Sequence, residues 1–159
     1  MQSKNTKIYR NYVKVLFAAY PQMNDRINYN QKLINRIIHA SFDSLMDAES
    51  VVSRVIDRIV RKERIIGLKN KIEQLINSLP VKNMQVMRMY FLEKLAAPQI
   101  AKNLDIGLRT VFRHISEGIE LCSLRLNNFG LGINQLDKLR KEFKWLDTIY
   151  INQLLDDAV

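Results

Sequence analysis

Apolar residues recur at intervals of three and four along almost the whole chain, the period of an amphipathic helix. Tyr9, Tyr12, Val13, Leu16, Phe17 and Tyr20 make the first stripe. Pro21 is expected to stop that helix, because proline lacks the donor N–H and crowds the turn before it. Asn24 or Asp25 would cap the next helix, whose stripe is Ile27, Leu33, Ile34, Ile37 and Ile38. Ser41 to Ser44 reads as a short connector, and Ser44 with Asp47 has the spacing of a capping box.

Two stripes follow: Leu45, Ala48, Val52, Val55 and Ile59, then Leu68, Ile72, Leu75 and Leu79. They are out of frame, and Gly67 lies near the junction. The pattern gives two helices or one helix bent there. Its heptad-like spacing suits an intramolecular bundle, with a dimer seam as the alternative. Leu79-Pro80 ends the run. Residues 82–93, 98–104 and 107–125 then read as three short-linked helices. Residues 127–132 read as a loop, and the tail from Ile133 as one or two further helices. No stretch alternates convincingly, so the fold class is all-α: a helical N-terminal region (1–78), a central segment (79–126) and a helical tail (127–159).

Composition narrows the class. Only 5 Gly and 3 Pro disfavour a turn-rich β protein, and 1 Cys with 2 His disfavours a disulfide scaffold or zinc finger. No apolar run approaches the ~20 residues that span a bilayer, so a soluble cytoplasmic protein without membrane partners is expected. The net charge of +9 is uneven. Residues 1–39 carry +6, 40–66 carry 0, 67–126 carry +4 and 127–159 carry −1. Basic blocks attract polyanions, nucleic acid above all, but a solvated lysine surface gives the same count.

Residues 97–116 carry the chemistry. Ile100, Ala101, Leu104, Ile106 and Val111 are spaced as the core of a helix-turn-helix. Ala101 must be small where the second helix crosses the first. Ile106 plugs the turn, and Val111 and Ile115 anchor the second helix. Asp105 falls where the backbone needs a positive φ, which Asp tolerates better than most residues. At ~100° per residue, Val111, Ile115, Gly118 and Cys122 share one arc of the second helix. Arg109, Arg113 and Ser116 lie opposite, with Thr110 and Phe112 at the margins. Two arginines on an exposed helical face suit guanine edges and phosphates.

Leu79-Pro80, Val86, Met89, Ile100-Ala101, Leu104, Ile106, Thr110-Val111 and Leu124-Arg125 resemble the region 4 helix-turn-helix of sigma-70-type factors. That family reads Leu-Pro, a Val/Leu-rich helix, Glu-Ile-Ala, Leu-Gly-Ile-Ser, Thr-Val and a closing Leu-Arg. The segment is similar also to LuxR-type regulators and to phage regulators of the ArpU type. It departs from the region 4 pattern at Lys94 (commonly Gly), Ala96 (a Ser/Thr cap), Gln99 (Glu) and Asp105-Ile106-Gly107 (Gly-Ile-Ser). The lost caps leave the helix starts weakly specified. The resemblance implies that Leu108, Arg109, Phe112, Arg113 and Ser116 face bases, with Thr110 near phosphate. It implies double-stranded DNA as partner, with core RNA polymerase and a second copy of the chain as further candidates.

The function expected is a sequence-specific DNA-binding transcription regulator of bacterial or phage type, inserting residues 107–122 into the major groove. The alternatives are a divergent sigma-like factor acting with core RNA polymerase and a scaffold like a phage small terminase. No region 2 signature is visible in residues 1–78. No catalytic constellation, metal site or cofactor is expected, because no nucleotide-loop, zinc-protease or hydrolase motif occurs. His114, Cys122, Met84, Met87 and Met89 read as packing residues. Arg58, Arg61, Lys62 and Arg64 form a basic cluster that is either a solvated face or a DNA contact.

Overall fold

A computed structural model describes residues 2–43 and 46–158. Among them, α1 is Gln2–Asp43, α2 Ala48–Asn77 and α3 Val81–Met87, which continues into a π-helical turn, Arg88–Leu92. Helix α4 is Ala97–Leu104 and α5 is Leu108–Arg125, followed by a 3₁₀ turn, Leu126–Phe129. Helices α6 (Ile133–Glu142) and α7 (Lys144–Ala158) close the chain. The described residues include no strand, and the protein is all-α. The chain divides into two compact units: residues up to Pro21 together with those from Lys71 onward, and Gln22–Asn70.

Pro21 does not stop the first helix; it lies inside α1. An interior proline costs about 3 kcal/mol, whereas each large side chain fully buried returns about 1.5–3 kcal/mol. Tyr12, Val13, Leu16 and Phe17 before it are buried, as are Met23 and Ile34 after it. Packing on both sides outweighs the local defect. Asn24 and Asp25 are therefore mid-helix rather than caps, and the connector expected from Ser41 is still helical to Asp43. The expected cap Ser44, and Leu45, lie outside the described residues. The start of α2 is capped by Asp47, whose Oδ1 accepts the Ser50 N–H and whose Oδ2 accepts the Ser50 hydroxyl, each at 2.8 Å. The Ser50 backbone donor, with the hydroxyl after it, holds the Asp47 carboxyl below its ordinary value. Helix α2 runs unbroken through Gly67, so the two-helix reading is wrong. One interior glycine costs only about 1 kcal/mol against alanine, less than the burial of Ile65, Leu68, Ile72 and Leu75 supplies.

Within Gln22–Asn70 the two helices are tied by Lys62 Nζ, which donates to Gln31 Oε1 at 2.9 Å. Met23, Ile34, Ile65 and Leu68 are buried there, while Tyr29, Val52, Ile56, Ile59 and Val60 are exposed.

The other unit surrounds the first half of α1. The Phe17 and Phe91 rings pack at 4.7 Å between centroids. The Tyr12 hydroxyl donates to Asp137 and accepts from Arg140 Nη1 at 3.2 Å. Arg140 also pairs with Asp147 at 2.8 Å and lies 3.5 Å over the Tyr150 ring. The tail is thereby fixed to α1, with Lys14 and Asp157 pairing at 3.2 Å.

Burial, then the bond to Asp137, pushes the Tyr12 phenol up to about 12. Burial, then the bond to Glu73, does the same for Tyr20. The neutral phenols stabilise the fold fully below their ordinary value of 10, and that contribution is lost as pH rises through 12. The denaturation midpoint is therefore expected to fall across this window, and ultraviolet titration should show two tyrosines ionising late. Unchanged stability up to pH 12 would contradict this.

Candidate nucleic-acid interface

The helix-turn-helix is closed by backbone geometry rather than side-chain caps. Ala96, extended at φ −68°, offers no side-chain cap to α4, yet its carbonyl accepts the N–H groups of Gln99 and Ile100 at 3.0 and 3.1 Å. Pro98 in the first turn fits, since its missing N–H is an orphan there. At the other end Asp105 is left-handed, φ 51° and ψ 50°. The Ile106 N–H reaches Ala101 O at 3.0 Å and the Asp105 N–H reaches Lys102 O at 3.4 Å, which is a Schellman closure. The positive φ expected of Asp105 is observed. Gly107 begins α5 in extended conformation, again without a side-chain cap. The helices thus start where expected despite the missing caps.

Lys94 also has a positive φ, 59°. For a long side chain this conformation costs about 1–2 kcal/mol. Lys94→Gly is therefore expected to raise the unfolding free energy by about 1 kcal/mol, read by urea denaturation. Unchanged or lower stability would show that the lysine conformation carries no strain.

Val86, Ala97, Ile100, Val111 and Ile115 form the core of this motif, with Ala101, Leu104, Ile106 and Ile119 packed against it. Where α3 meets α5, Gly118 faces Met87: a Cβ built on Gly118 would stand 2.6 Å from Met87 Sδ. Asn83, buried on α3, donates to His114 O at 3.4 Å and to Glu117 Oε2 at 3.2 Å. His114 is buried, its Nδ1 3.7 Å from Glu117 Oε2. Cys122 is fully buried, and burial pushes its thiol up to about 12, so it is an inert core residue. Met87 is buried as well, with Met84 and Met89 partly so.

With Val111, Ile115, Gly118 and Cys122 turned inward, the opposite side of α5 is left to solvent. Leu108 is 45% and Phe112 51% exposed. Arg109, Arg113 and Ser116 are exposed on the same side, and Thr110 is half-buried at its edge. All six residues singled out from the sequence thus border one surface of the first three turns of α5. Arg109 makes no ion pair or hydrogen bond with the described residues. Arg113 Nε lies 3.8 Å from Glu117 Oε1, a loose i,i+4 pair. Two residues escaped the sequence reading. Glu117 places a carboxylate beside Arg113, a spacing that was visible, and Asn83 fixes that carboxylate from another helix, which was not. Chemically, the face offers two guanidinium forks, two apolar groups and two hydroxyls, beside the partial positive charge of a helix N-terminus.

Fold and face together define a protein carrying a DNA-binding helix-turn-helix. Residues 69–122, about a third of the chain, match the family model described as Sigma-70, region 4; the segment is sigma-70 region 4-like. The match begins in the last turns of α2 and ends at Cys122. No curated protein and no solved structure matches the chain. Among the described residues, no helix is long and apolar enough to cross a membrane.

Proposed function

We propose that the protein is a sequence-specific transcription regulator that lays the N-terminal half of α5 in the major groove of double-stranded DNA. The observation that carries this reading is the shared exposure of Arg109, Phe112, Arg113 and Ser116 on a helix whose other face is the motif's core. Arg109 and Arg113 present bidentate donors to guanine O6 and N7. Phe112 and Leu108 meet thymine methyl groups. Ser116 can donate or accept, and Thr110 stands at the phosphate edge. The match to sigma-70 region 4 favours a second reading, a sigma-like factor that recognises its site together with core RNA polymerase.

Selection of bound duplexes from a random pool at ~150 mM salt, where backbone attraction alone is weak, separates the readings. It is run with and without core polymerase. A palindromic site enriched by the protein alone means a dimeric regulator, with half-site spacing set by its two-fold geometry. A single site enriched only with polymerase means the sigma-like factor. Enrichment in neither arm rejects sequence-specific recognition and leaves a scaffold that uses DNA without reading it.

A further inference from the structure

The α5 face leaves unexplained the basic cluster on α2. Within the Gln22–Asn70 unit, a groove of about 430 Å³ is lined by Arg54, Arg58 and Arg61 of α2 and by Arg36 of α1. Its floor is apolar, with Leu33 and Ile37 half-buried. Arg54, Arg58 and Arg61 stand at i, i+4 and i+7 and so share one edge of their helix. Among the described residues, Asp57 is the single acid in the lining. It lies three residues from Arg54 and four from Arg61, yet it pairs with neither among the described residues. Arg36, Arg58 and Arg61 likewise make no ion pair with described residues. Arg54 has only a long contact to Met46 Sδ at 3.6 Å. Among the described lining residues, four guanidinium groups against one carboxylate give the groove a local excess of positive charge. A structural role would show these side chains spent on carboxylates, and among the described residues they are not.

We propose that this arginine-lined groove is a second DNA-binding surface, one that grips the phosphate backbone of a duplex without reading its sequence. Its chemistry favours phosphate, because the planar guanidinium fork matches phosphate oxygens and is weakly hydrated. The row along α2 offers charges at short, regular spacing to a strand whose phosphates also repeat regularly, and the described lining residues include no base-edge reader such as Asn or Gln. The inference shares with the proposed function only the identity of the ligand as duplex DNA.

The test measures affinity against salt concentration for the full-length protein on its preferred duplex and on a scrambled one. Wild type is compared with Arg54→Gln/Arg58→Gln/Arg61→Gln and with the matching triple lysine variant, each checked for unchanged helicity and melting. Each phosphate that the protein ceases to neutralise flattens the plot of log K against log salt by about 0.9. The glutamine variant is expected to flatten it by about 2–3 units and to weaken both duplexes by the same factor. Lysine should restore most of the slope. An unchanged slope overturns the proposal, as does a loss confined to the preferred duplex. Binding of polyglutamate that the glutamine variant loses, with the DNA slope intact, overturns it in favour of an acidic protein partner. A wild type that prefers no sequence, but whose slope still flattens in the variant, sinks the sequence-reading function while the groove's role stands.

Discussion

Replacing Arg109 or Arg113 with alanine is expected to weaken binding to the selected duplex by about 1–3 kcal/mol each, or roughly 5- to 150-fold. Arg109 has no partner to give up among the described residues. Arg113 gives up a loose pair with Glu117, at 3.8 Å with both side chains more than half exposed. Exposed pairs of this kind are worth about 0–1 kcal/mol, so the pair does not hold Arg113 back from DNA. The pattern of the loss matters as much as its size. An arginine on a guanine edge, once removed, relaxes the preference at one base position and spares other sequences. An arginine on phosphate lowers all affinities together and flattens the salt dependence. Equilibrium binding across a panel of single-base variants of the site distinguishes the two. Wild-type affinity in both variants would mean that this face does not touch DNA.

The largest stability effects are expected at the crossing of α3 and α5. Met87 is fully buried, so Met87→Ala should destabilise by about 2–5 kcal/mol. Gly118→Ala should also destabilise, by about 1–3 kcal/mol, because its methyl group would meet Met87 Sδ at 2.6 Å and Cγ at 2.7 Å. The better helix propensity of alanine offsets about 1 kcal/mol of that. The two changes are coupled, since the new methyl group fills part of the space that Met87 leaves. The double variant should be more stable than the sum of the single losses implies, by about 1 kcal/mol or more. Urea unfolding of the four proteins measures the coupling. Strict additivity would mean that Gly118 is glycine for a reason other than close approach to Met87.

The recognition segment was legible because its demands are local. A positive φ at Asp105, a plugged turn at Ile106 and an inward arc from Val111 to Cys122 each follow from backbone sterics and the helical period, and each is observed. Pro21 was misread for the opposite reason. Its local rule is sound, but the burial of residues on both sides of it decides the outcome, and a partner such as Phe91 against Phe17 is distant in sequence. At Gly67 the sequence left two helices or one open, and a small local cost overridden by packing leaves one. Asp47, read from the sequence as the partner in a capping box with Ser44, accepts the Ser50 N–H at the start of α2. At the candidate interface, the exposed arginines were readable from the wheel. The hold of Asn83 on Glu117 was not, since it joins residues 34 apart.

Dimethyl sulfate interference on the selected duplex probes the reading face most directly. It methylates guanine N7 in the major groove and adenine N3 in the minor groove, and the bound and free fractions are compared. Major-groove insertion of α5 predicts that methylated guanines within the site are excluded from the bound fraction, and that Arg109→Ala or Arg113→Ala removes the exclusion at one guanine each. Exclusion only at adenine N3, or a guanine pattern indifferent to both arginines, would contradict recognition through this face.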